Sequence, residues 1–163
     1  MGKRCKLPCC SLLIEDGREV TRVSSIKYLG IVITENVTFS WSADHLKKAF
    51  NRACNAILSK ILGKASEQLV MHLIKVKCLP ILLYAIEAAV YKKSTLTSMD
   101  FALTRFVMRI FRTGSAVIAH ECMTCMGVEL PSVTCAVRRV QFLQKCVASD
   151  NHYVRMCALR AVD

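Results

Sequence analysis

Acidic side chains are scarce in this sequence: 12 Asp and Glu stand against 23 Lys and Arg, a formal charge of +11 at pH 7. That balance points to a polyanionic partner, with an anionic membrane surface as the competing reading. Long apolar runs are also missing. The longest candidate, Val76 to Val90, is broken by Lys77, Pro80 and Glu87, so nothing approaches the roughly 18 residues of a membrane span. No secretory signal is expected, because Lys3, Arg4 and Lys6 charge the start and no apolar stretch follows. Lys6 also stands where a myristoylation pattern wants Ser or Thr. The ten cysteines are therefore expected to be reduced thiols of an intracellular protein, in nucleus or cytoplasm. Internal repeats and low-complexity linkers are absent too.

What is present is core material. Hydrophobic residues make up 53% of the 163, enough to exclude disorder and to fold one compact unit without metal or disulfides. The early residues read as strands: 11–14 and 19–23 flank a turn at Asp16-Gly17, and a third strand covers 26–34. From Ser42 the period becomes helical, with Leu46, Ala49, Phe50, Ala53, Ile57, Ile61 and Leu62 in one stripe and Gly63 as the stop. Further helices are expected at about 66–77, 81–91, 94–112, 115–126, 132–149 and 151–161, with Ser66, Ser94 and Ser115 as caps. The 81–91 segment is apolar nearly all round and reads as the buried centre. The expected fold is α+β and mainly α: a small N-terminal antiparallel β element, a hairpin plus a third strand, then a bundle of five to seven helices.

The run Val23-Ser-Ser-Ile-Lys-Tyr-Leu-Gly-Ile31 resembles the end of the palm of a non-LTR retrotransposon (LINE-type) reverse transcriptase. Ser40 to His45, the basic helix after it, Leu79-Pro-Ile-Leu-Leu-Tyr84 with Glu87, and Arg105 to Phe111 are similar to that family's thumb. Ile118 to Cys122, Leu130-Pro131 and Arg138 to Leu143 resemble the helical extension beyond it. The resemblance implies a palm remnant over 1–34, a thumb-like region over 35–113 and an extension over 114–163. It places Lys27, Tyr28, Leu29 and Gly30 in a primer-grip-like strand. It also implies partners: an RNA or RNA–DNA duplex, and the palm and fingers of the parent polymerase.

The family's Mg²⁺ ions are held by an aromatic-x-Asp-Asp motif and an upstream Asp. This sequence has no Asp-Asp pair; Asp16, Asp44, Asp100, Asp150 and Asp163 are each isolated. The expectation is a chain that is no enzyme by itself, holds no cofactor, and begins downstream of the catalytic site. An active polymerase remains the alternative if the frame extends upstream.

Lys47, Lys48, Arg52, Lys60 and Lys64 lie largely off the apolar stripe of the first long helix and are the candidate phosphate contacts. Tyr28 and Trp41 would add stacking. Arg105, Arg109 and Arg112 form either a second cationic stripe or the wet face of an amphipathic helix. His120, Cys122, Cys125 and Cys135 include a Cys-x-x-Cys, but their spacing within one helix argues for buried thiols over zinc. Cys5, Cys9 and Cys10 lie beside cations that would raise thiol reactivity, or simply in a frayed terminus. His45, His72 and His152 have no partners at triad spacing. Two rivals to nucleic-acid binding stand: a helical protein-interaction module, and a translated relic with no role.

Overall fold

The computed structural model describes residues 12–28, 31–34, 41–88 and 91–160. The protein is mainly helical. It divides into two compact units, Met1–Ala43 and Asp44–Asp163, so the helices all belong to the second.

In the first unit, β1 (Ser25–Tyr28), β2 (Ile31–Thr34) and the two-residue β3 (Trp41–Ser42) pair antiparallel in the order β1-β2-β3. The expected hairpin over 11–14 and 19–23 is replaced by a single bridge, Leu13 to Glu19. Its turn does form: Gly17 sits at φ +79°, Ile14 N–H donates to Arg18 O, and Asp16 pairs with the Arg18 guanidinium. Leu12, Leu13, Ile14, Val20 and Val23 are all exposed, and a two-stranded ribbon with no apolar face covered is marginal in water. The expected continuous strand over 26–34 is two strands, with Tyr28 paired to Ile31 and Ser25 to Thr34. Leu29 and Gly30, between them, lie outside the described residues.

The second unit opens with α1 (Asp44–Ile61), whose buried face is Leu46, Phe50, Cys54 and Leu58. This stripe, spaced strictly by four, is rotated from the expected one: Ala49, Ala53, Ile57, Ile61 and Leu62 are only half-buried. Gly63 at φ +80° ends the helix. Ser66 caps α2 (Glu67–Leu73), its hydroxyl accepting from Leu69 N–H. The helix then widens into a π-turn over Ile74–Cys78, where Leu79 N–H reaches Ile74 O, before α3 (Leu79–Leu82). Pro80 supplies the reason: it has no N–H to give, and its ring crowds the carbonyl four residues back.

The central helix expected over 81–91 is α-helical only through Leu82, and turns follow to Ala88. Ala85 at φ +52° breaks it, while Leu82, Leu83 and Ile86 still bury fully or nearly so. The chain resumes with α4 (Lys93–Ile110), α5 (Ala116–Cys125), α6 (Pro131–Val147) and α7 (His152–Arg160). Ser115 caps α5. Lys92, not Ser94, holds the cap position of α4 and gives no side-chain bond. A Schellman motif closes α5: Val128 N–H bonds Met123 O, Gly127 N–H bonds Thr124 O, and Gly127 sits at φ +61°. Lys75, from the π-turn, donates to Gly127 O at 2.8 Å and adds a cation at that helix end.

Met99, Leu103, Val107 and Ile110 line the inner face of α4, and Phe106 meets the fully buried Phe50 edge-to-face at 5.5 Å. This joins α1 to α4 directly. Among the described residues no helix is long and apolar enough to cross a membrane.

Candidate nucleic-acid interface

Helices α1 and α4 lie side by side and run the same way, because Lys47 near the start of α1 meets Ser98 early in α4, and Asn55 meets Arg109 later in both. Their outer faces leave an open cleft of about 650 Å³ above the Phe106 ring. One wall carries Lys47, Lys48, Asn51 and Asn55; the other carries Phe101, Arg105 and Arg109. Helical periodicity makes each wall, since 47, 51 and 55 step by four on α1 and 101, 105 and 109 step by four on α4.

The charge is one-sided. Among the described residues, four cations line the cleft against one carboxylate, Asp44, which pairs with Lys47 at 2.9 Å. Lys47 also donates to Ser98 Oγ at 3.1 Å, and Arg109 Nη1 donates to Asn55 Oδ1 at 3.1 Å. Among the described residues, the side chains of Lys48, Asn51 and Arg105 have no hydrogen-bond or ion-pair partner. Arg105 and Lys48 are exposed, with their donors open among the described residues.

Of the residues singled out in the sequence, Lys47 and Lys48 stand in this cleft with Arg105 and Arg109. Arg52, Lys60 and Lys64 are exposed but do not line it. Arg112, at φ +50°, lies beside Gly63 at the far end of α1. Lys27 and Tyr28 are exposed on β1, Tyr28 at 64%; Leu29 and Gly30 lie outside the described residues. Trp41 falls in β3, and its expected stacking role lies outside the described side chains. Phe101 is the residue sequence reasoning missed. Its signal was an aromatic at a position otherwise polar, four and eight residues before Arg105 and Arg109.

The other clusters separate. Cys122 and Cys125 sit on α5, half-buried and exposed, while Cys135 is buried on α6 with its thiol donating to Ile86 O at 3.6 Å. Burial pushes the Cys135, Cys78 and Cys54 thiols up from their ordinary range, and Cys78 beside it raises Cys54 further. His120 instead joins Thr104. The Thr104 hydroxyl donates to Asp100 O, so its oxygen accepts from His120 Nε2 at 3.2 Å. Cys5, Cys9 and Cys10 lie outside the described residues. Among the described residues no three His, Cys, Asp or Glu come together, and Asp16, Asp44, Asp100 and Asp150 stand on separate segments.

No family model, curated protein or solved structure matches this chain.

Proposed function

We propose that this chain binds nucleic acid without sequence preference, through the cationic α1/α4 face, and that it is the palm end, thumb and helical extension of a non-LTR-type reverse transcriptase. The observation that carries the reading is the convergence of Lys47, Lys48, Arg105 and Arg109 on one cleft with a single acid among the described residues that line it. Phosphate contacts require positive charge in register and little else. The order of motifs from Lys27-Tyr-Leu-Gly30 through Leu79-Pro80 to Arg138 supports the polymerase relationship. On this reading Lys27 and Tyr28 belong to a primer-grip-like strand, RNA or RNA–DNA duplex is the partner, and polymerisation needs a metal site this chain does not supply.

Fluorescence anisotropy with a labelled RNA–DNA duplex tests it. The double variant Lys48→Ala with Arg105→Ala is expected to weaken binding at least tenfold, whereas Glu15→Ala with Glu19→Ala, on the first unit, changes it little. Equal affinity for both double variants would refute the assignment.

A second reading has its own observation. Val133, Val137 and Val140 form an exposed apolar stripe on α6, and Tyr153, Val154 and Leu159 are exposed on α7. Such surface marks protein interaction when it is contiguous. Self-association on size exclusion that RNA leaves unchanged would favour this module over the nucleic-acid reading.

A further inference from the structure

Two side-chain bonds link the walls of the α1/α4 cleft. The Lys47–Ser98 and Arg109–Asn55 bonds cross it at points eight residues apart on α1, about 12 Å along the helix axis. The cleft as a whole has the volume of a small-ligand site, about 650 Å³ against the roughly 300–1,000 Å³ usual for such pockets.

The contents of that interior are chemically mixed. Phe101 stands in one wall with 63% of its surface in water, and Arg105 follows it one turn on. Opposite is Asn51, whose carboxamide offers two donors and one acceptor and, among the described residues, uses none. Lys48, likewise without a side-chain partner among the described residues, lies nearly one turn before it on α1. A bare phosphate site would have no use for the exposed ring. An apolar site would have no use for a guanidinium, an ammonium and an open amide around it.

We propose that the cleft receives one unpaired nucleotide of a nucleic-acid strand, the base lying on Phe101, its edge meeting Asn51, and its phosphate held by Arg105 and Lys48. This rests on the nucleic-acid reading above and names the occupant: a splayed-out base instead of a paired one. Bases inside a duplex have both faces covered by their neighbours, so the Phe101 ring is open only to a base that has left the stack. Aromatic rings with nearby guanidinium groups take unpaired bases in this way whatever their identity, because every base has a π face.

The test uses the full chain and an RNA–DNA duplex carrying a single unpaired 2-aminopurine in the DNA strand, beside the same duplex fully paired. The bulged probe is expected to bind about fivefold or more tighter, and its 2-aminopurine emission to change on binding. Phe101→Leu, which keeps an apolar side chain at an exposed position but removes the π face, is expected to bring the two affinities together. Equal affinity for both probes with unchanged emission would overturn the proposal while leaving nucleic-acid binding intact, and so would a preference that survives Phe101→Leu. Displacement of the probe by micromolar adenosine monophosphate would overturn the strand assignment in favour of a free nucleotide. Binding of neither probe would remove the underlying reading, and this proposal with it.

Discussion

Asp100 illustrates how much one side chain fixes in the helical unit. Its Oδ1 accepts from Ser132 N–H at 2.8 Å, at the start of α6, where the cap residue Leu130 has no side-chain acceptor of its own. One turn later Thr104 bonds back to the Asp100 carbonyl and outward to His120 of α5. A single turn of α4 therefore holds the beginnings of α6 and the middle of α5. Asp100→Ala should cost about 0.5–2 kcal/mol in a denaturant titration, the range for losing a helix cap, and Asp100→Asn distinctly less because the amide still accepts. Ala85 is the opposite case. A residue with a Cβ in the left-handed region costs roughly 1–2 kcal/mol, against about 0.5–1 kcal/mol of extra chain entropy for glycine. Ala85→Gly is thus expected to raise the unfolding midpoint slightly, and a fall would show that the Ala85 methyl packs more than it strains. The buried Cys54 thiol adds a pH dependence. Its pKa is raised by burial above that of the unfolded chain, so its contribution is whole below about pH 8.5 and falls as pH rises further. Unfolding midpoints should therefore decline on the alkaline side, and Cys54→Ala should flatten that decline.

At the scale of elements, local chemistry made some features readable and left others hidden. Ser66, Ser115 and Gly63 act where capping rules place them, because a cap needs only its own next few residues. The helix over 81–91 failed for a reason periodicity does not register. Apolar residues at 82, 83 and 86 remain buried whether the backbone is helical or turned, so burial pattern alone misnames the element. The strand over 26–34 failed similarly, since alternating apolar residues on both sides of a chain reversal read as one strand. Lys47 and Lys48 were visible as an off-stripe pair, but Phe101 and Arg105 become their neighbours only through contacts 51 to 54 residues apart in sequence. The α1–α4 joint itself depends on Phe50, which is fully buried and stacked edge-on to Phe106. Phe50→Ala should cost about 3–5 kcal/mol by calorimetry or denaturant titration, and with it the parallel placement of the two walls of the cleft.

For the molecule as a whole, the excess of 11 positive charges biases association towards polyanions, but bulk charge alone predicts diffuse binding with no preferred face. A cleft-centred interface would instead concentrate the attraction where Lys48 and Arg105, without side-chain partners among the described residues, stand in the α1/α4 cleft. The measurement that separates these is the salt dependence of affinity for an RNA–DNA duplex, taken on the native chain, on Lys48→Gln with Arg105→Gln, and on Lys60→Gln with Lys64→Gln. Each phosphate contact contributes about −0.9 to the slope of log affinity against log salt. The cleft variant should lose nearly two units of slope, and the variant at the end of α1 distinctly less. Equal losses from both, or a native chain whose affinity does not change with salt, would contradict a cleft-centred interface.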